Sequence, residues 1–202
     1  MTSLPFTGFK RIAQTFAALA FAALLAGCAH PIVVQAENTP DRVEANLIQK
    51  KVAYAMTDAD RAKQVTTQGG GGDKVSYYPY RDLEKSLRDT LRSVYTDVAV
   101  VPSATDANAV RDAGAVLVFT PQINTTSNSP SPFTWPPTEF STEFVCKVTD
   151  ATGAEVAQLR VTGQGVAEFS EFKSNFSLAA NRAGTDATSK LGAAIRNNPR
   201  LR

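Results

Sequence analysis

The apolar positions of this chain follow two periods. Val52, Tyr54 and Met56 alternate with Lys51, Ala53 and Ala55, whereas Leu83, Leu87, Leu91 and Val94 recur at spacings of four, four and three. Alternation puts side chains on opposite faces of a pleated backbone, so residues 51–56 predict a strand. The second spacing puts its four residues on one side of a helix. Asp82 and Glu84 in its first turn oppose the helix dipole, and Lys85, Arg88, Asp89 and Arg92 form its solvated side.

A short β-branched run at 98–101, closed by Pro102, predicts a second strand, and 104–112 a brief helix before Gly114. Residues 115–119 are apolar throughout, as suits a strand covered on both faces. Phe140, Thr142, Phe144, Cys146 and Val148 then alternate with Ser141, Glu143, Val145, Lys147 and Thr149. A turn at 150–153 returns the chain through 155–161, which makes a hairpin. Gly163 and Gly165 predict a bend or bulge. Beyond Ser177, a predicted N-cap, Ala180, Ala183, Ala187, Leu191 and Ala194 form a narrow stripe on a last helix. The expected fold is α+β in two layers, with a mixed or antiparallel sheet of about five strands and two amphipathic helices on one face.

Three stretches lie outside these periods. Residues 29–46, with Pro31 and Pro40, show no sustained period and predict a flexible tether. Residues 58–73 end in four glycines and predict a mobile loop. That run lacks both the Lys-Ser or Lys-Thr ending of a phosphate loop and the spacing of a dinucleotide fingerprint. Residues 124–137, rich in serine, threonine and proline, predict a long loop that carries Phe133 and Trp135. Large aromatics in a loop either fold back over the core or meet a partner.

At the N-terminus, Lys10 and Arg11 precede an apolar run at 12–25, broken only by Gln14 and Thr15. The run is shorter than the roughly 20 residues of a membrane span and suits a secretion signal. It ends in Leu25-Ala26-Gly27-Cys28, which resembles the lipobox of bacterial lipoproteins. The resemblance implies cleavage between Gly27 and Cys28 and acylation of Cys28. With Ala29, rather than an aspartate, after the cysteine, it also implies the outer membrane, on its periplasmic face. The expected organisation is a signal peptide at 1–27, a lipidated tether at 28–46 and one periplasmic domain at 47–202.

Export changes the charge count. The chain holds 21 basic and 19 acidic residues, and removal of Lys10 and Arg11 leaves 19 of each sign. A neutral body offers no electrostatic attraction for nucleic acid. With Cys28 committed to lipid, Cys146 has no disulfide partner.

Candidate chemistry is sparse. The one histidine, His30, falls in the expected tether, so neither a catalytic triad nor a multi-histidine metal site is expected, and no cofactor is implied. Cys146 is in phase with Phe140 and Phe144 and reads as a core residue. Acid–base chemistry would rest on Glu139, Glu143 and Glu168. The body resembles small α/β periplasmic lipoproteins that accompany envelope machinery, such as the auxiliary lipoproteins of ABC-type transport systems and the lipoprotein plug of the lipopolysaccharide exporter. No functional residue is carried over from that resemblance; the sparse catalytic chemistry and the anchor instead point to a non-enzymatic accessory that binds an envelope protein or a lipid-like ligand beside the bilayer, with Phe133 and Trp135 as the contact loop where they do not cap the core. A carboxylate-dependent cell-wall or glycan hydrolase and a purely structural envelope lipoprotein are the alternatives.

Overall fold

The structure, a computed structural model, describes residues 29–38, 40–131, 133–172 and 174–202. The signal segment and Cys28 lie outside the described residues.

A five-stranded mixed sheet carries the core. Its strands are β2 (Ile48–Ala55), β5 (Tyr95–Val101), β6 (Leu117–Asn128), β7 (Glu139–Asp150) and β8 (Glu155–Val166), in the spatial order β5-β2-β6-β7-β8. β2 runs parallel to both β5 and β6, whereas β6, β7 and β8 are antiparallel. Parallel neighbours need a crossover. Helix α2 (Pro79–Arg92) supplies it between β2 and β5, and the short α3 (Ala107–Asp112) lies in the connection that carries the chain from β5 past β2 to β6.

α2 and α5 (Leu178–Asn197) cover one face of the sheet. Leu83, Leu87 and Leu91 of α2 have no exposed surface, and neither do Ala183, Ala187, Leu191 and Ile195 of α5. Below them lie Phe119 of β6 and Phe144, Cys146 and Val148 of β7. Each large apolar side chain buried here contributes roughly 1.5–3 kcal/mol. α3 covers only one end of the opposite face, through Val110 against Ala53, Val101 and Val118. Farther along, that face is polar and wet, with Asn124, Asn128, Glu139 and Gln164 exposed.

Gly163 and Gly165 make no bulge in β8. They sit within the continuous pairing with β7, opposite Thr142 and Phe140, and the register shift falls instead at Val148/Thr149. A Cβ on Gly163 would lie 2.2 Å from the Ala183 carbonyl and from the Ala187 nitrogen, and one on Gly165 2.0 Å from the Ala179 carbonyl. The glycines and the alanine stripe of α5 therefore have one cause: the helix backbone lies directly on the strand backbone.

A smaller sheet, in the spatial order β1 (His30–Pro31), β4 (Lys74–Tyr77), β3 (Val65–Gln68), accounts for the segments expected to be irregular. The predicted loop at 58–73 instead holds the helical turn α1 (Asp58–Ala62) and strand β3 (Val65–Gln68), which pairs antiparallel with β4 (Lys74–Tyr77). Thr57 and Asp60 form a capping box on α1. The hairpin is stitched to the far half of β6: the Tyr77 hydroxyl donates to Thr125 at 2.7 Å, and the Ser127 hydroxyl donates to Thr67 at 2.6 Å. That docking extends β6 to Asn128, where a loop was expected from residue 124.

The N-terminal segment is docked as well. β1 (His30–Pro31) lies parallel to β4, and Ile32, Val34 and Ala36 are buried. Backbone N–H groups of Val33, Val34, Gln35 and Glu37 donate to Ser177, Asp82, Asn181 and Thr185. The expected tether is thus fastened from His30 to Glu37, first to β4 and from Val33 onward to α2 and the N-terminal half of α5. Ser177 is the N-cap of α5, but its hydroxyl serves Val33 rather than the helix.

Candidate functional site

The β6–β7 loop, residues 129–138, stands at the end of the sheet where β1 enters and β8 leaves. Gly69 and Gly70, at the turn of the β3–β4 hairpin, let it approach. The Gly70 N–H donates to the Trp135 carbonyl at 2.9 Å. A Cβ on Gly70 would lie 1.6 Å from the Thr134 carbonyl, and one on Gly69 2.2 Å from that of Trp135. Two of the four glycines expected to be mobile are therefore buried packing elements.

The two candidate aromatics separate. Trp135 folds back, packed against the core, with its ring stacked on His30 at 4.2 Å between centroids and tilted against Phe176 at 4.8 Å. Phe133, two residues earlier, is 96% exposed. His30, expected in the tether, is held against the body: its ring stacks on Trp135, and its Nε2 lies 3.8 Å from the Asp73 carboxylate.

Beside Phe133 is an open cleft of about 500 Å³, lined by Pro130, Thr134, Glu139, Val166, Glu168 and Phe169 among others. Phe169 begins α4 (Phe169–Phe172) and is 65% exposed; Val166 is 56% exposed. Phe176, at the edge of the Trp135 stack, is 46% exposed, and Val33, bonded to the neighbouring Ser177, 49%.

Glu139 and Glu168 share this cleft, and both are exposed. Glu143 does not: it lies four positions from Glu139 on β7, about 13 Å at strand spacing. It accepts from Asn124 at 3.0 Å and from Arg160 at 2.7 Å. The Asn124 amide, with Arg160 beside it, holds the Glu143 carboxyl below its ordinary value. It is kept as a carboxylate, the opposite of what a general acid needs. Glu139 accepts from Asn128 at 3.2 Å. Cys146 is fully buried, and burial pushes its thiol up to about 12.

Elsewhere, a depression of about 370 Å³ contains Asp60 and Lys147. Asp60 is engaged by Thr57 and Lys147 by Glu155 at 3.4 Å, so neither is free for a ligand. Among the described residues no three His, Cys, Asp or Glu side chains converge as a metal site. None of their helices is long and apolar enough to cross a membrane.

The sequence marked Phe133 and Trp135 but missed Phe169, Phe176, Val33 and His30 as their neighbours. One signal was available. Ile32, Val34 and Ala36 alternate with Val33, Gln35 and Glu37, which is strand-like and marks a docked segment.

No family model matches the chain, and no curated protein matches it. Among solved structures it is similar to a Xanthomonas campestris protein under the family model DUF330, at 13% identity and a TM-score of 0.49, covering 83% of this chain and 96% of that one. It is also similar to the PelC dodecamer of Paraburkholderia phytofirmans, at 16% identity and a TM-score of 0.42, covering 77% and 94%. These values are too low for fold or function to pass from those proteins to this chain.

Proposed function

We propose that this protein is a lipid-anchored accessory of the bacterial cell envelope. It is exported, cut before Cys28, acylated on that cysteine and held at the periplasmic face of the outer membrane. There it binds or helps assemble an envelope component, a protein or a lipid-like ligand, without catalysing a reaction. The observation that carries this reading is the ordered series of Lys10-Arg11, the apolar run and Leu25-Ala26-Gly27-Cys28. The exposed aromatic end beside the docked N-terminal segment supports it, since contact surfaces favour such groups.

The test is mass spectrometry of the protein from native membranes, together with the Cys28→Ala variant. An acylated N-terminal cysteine in the outer-membrane fraction, and release of the variant from that fraction, are expected. A bare sulfur or a retained leader overturns the reading.

A hydrolase is the second reading, favoured by Glu139 and Glu168 on one cleft. It requires two carboxylates that converge in a sheltered site, and these two are exposed at the rim of an open cleft. Release of soluble glycan from purified cell wall by the wild type, abolished in Glu139→Gln with Glu168→Gln, would establish it.

A further inference from the structure

We propose that the aromatic end is a membrane-contacting face: Phe133, Phe169 and Phe176, with Val33 and Val166, enter the headgroup–acyl boundary of the leaflet that holds the lipid on Cys28. This rests on the acylation proposed above and goes further, because it fixes how the body stands on the bilayer.

The first support is the length of the leash. His30 is paired with Val75 of β4 and stacked on Trp135, so only Ala29 separates the acylated residue from chain that is fixed to the body. At about 3.3–3.6 Å per residue, Cys28 stays within about 7 Å of His30 along the chain. A long tether would let any face meet the membrane. A leash of one residue brings the end that contains His30 there.

The second support is what that end displays. Eight large apolar side chains are exposed among the described residues, and five of them are here, including every exposed phenylalanine. They fall in two groups that the β6–β7 loop joins through Phe133 and Trp135. Phe176 leans on the Trp135 that His30 covers, Val33 is bonded to the residue after Phe176, and Phe133, Val166 and Phe169 line one cleft. Aromatic and apolar side chains are stabilised at this depth of a bilayer, where the ring leaves water and nearby polar groups remain hydrated.

Charge then narrows the kind of surface. Glu139 and Glu168 edge the cleft, Asp73 lies beside His30, and Glu171 is paired with Arg182 at 2.7 Å. Carboxylates at the rim give no attraction to anionic headgroups, so the contact is with the apolar margin of a neutral leaflet. Since the acyl chains already hold the protein, the phenylalanines set its orientation.

The experiment uses the full lipidated protein in phosphatidylcholine vesicles, with and without brominated acyl chains. Trp135 is the sole tryptophan, so Phe133→Trp in a Trp135→Phe background moves the reporter to the proposed contact. Blue-shifted emission, with most of it quenched by bromine and no change between low and high salt, is expected. Phe169→Ser with Phe176→Ser in that background should lose most of the quenching while vesicle retention and circular dichroism are unchanged. Unquenched, red-shifted emission from acylated protein overturns the membrane face and leaves the anchor standing. A bare Cys28 in the same sample strikes the anchor reading instead. Emission that shifts with protein concentration and ignores bromine assigns the patch to a second copy and also overturns the proposal.

Discussion

The seam between α5 and β8 and the aromatic end around Trp135 are both built on glycines that admit a neighbouring backbone, yet they have opposite outcomes. At the seam, Gly163 and Gly165 let the helix settle on the strand, and Ala179, Ala183 and Ala187 against them are buried. At the aromatic end, Gly69 and Gly70 admit the β6–β7 loop, which buries part of Trp135 and leaves Phe133 outside. Close approach alone therefore does not make a core. Burial is completed where a helix presents a continuous apolar side, and a ten-residue loop with four prolines presents only single side chains.

Added bulk at the seam has the largest expected effect. Gly163→Val places its Cβ 2.2 Å from backbone atoms of Ala183 and Ala187, which cannot move aside as a flexible side chain would. A loss of about 4 kcal/mol or more in urea unfolding, or failure to fold, is expected. Gly72→Ala is the control. Its site is open, so it meets only the strain of a φ of 88°, about 1–2 kcal/mol.

The two loop aromatics give the next largest effect. Trp135→Ala removes a half-buried ring from the stack with His30 and Phe176 and should cost about 2 kcal/mol, below the 3–5 of a fully buried aromatic. Phe133→Ala should change stability by less than about 0.5 kcal/mol, because its ring is in water in the free protein. Equal effects in thermal or urea unfolding would mean that the loop acts as one lid, and the division between cap and contact would be lost.

The sequence was legible where one period persisted. Leu83, Leu87 and Leu91 located α2, and the alternation from Phe140 to Val148 located β7 and its buried face, including Cys146. It was illegible where structure depends on distant partners. β6 continues through Asn124, Thr125 and Thr126 because β7 and the β3–β4 hairpin flank it, and no local apolar signal marks it. The glycine pair in β8 resembled a bend because its reason lies in α5. In the candidate site, Phe133 and Trp135 stood out by type. Their separation into exposed and stacked rings depended on His30, Phe176 and the hairpin, all remote in sequence.

The smallest effect asks whether charge reinforces the packed side as apolar contact does. Glu84 of α2 accepts from Arg61 at 2.6 and 2.8 Å and from the Tyr54 hydroxyl at 3.0 Å. Arg61, with Tyr54 assisting, holds the Glu84 carboxyl below its ordinary value. Burial, with Glu84 assisting, pushes the Tyr54 phenol up to about 12. The two groups act in different pH windows. The depressed carboxylate stabilises the fold above its unfolded value near 4.3, and that contribution fades as pH falls through the folded value. The raised phenol is fully compatible with folding below about 10, and stability declines from there towards 12 because the unfolded phenol ionises first. Glu84→Gln should cost about 1 kcal/mol at neutral pH and flatten the acid limb of the stability profile. It should leave most of the alkaline limb, since burial is the larger cause at Tyr54. Burial raises the phenols of Tyr77 and Tyr95 as well, so Tyr54 is followed by its own ring signals in NMR: were its titration to return to the ordinary phenol value in Glu84→Gln, the carboxylate would be what raises it, and this corner of the packed side would be held by charge rather than by exclusion of water.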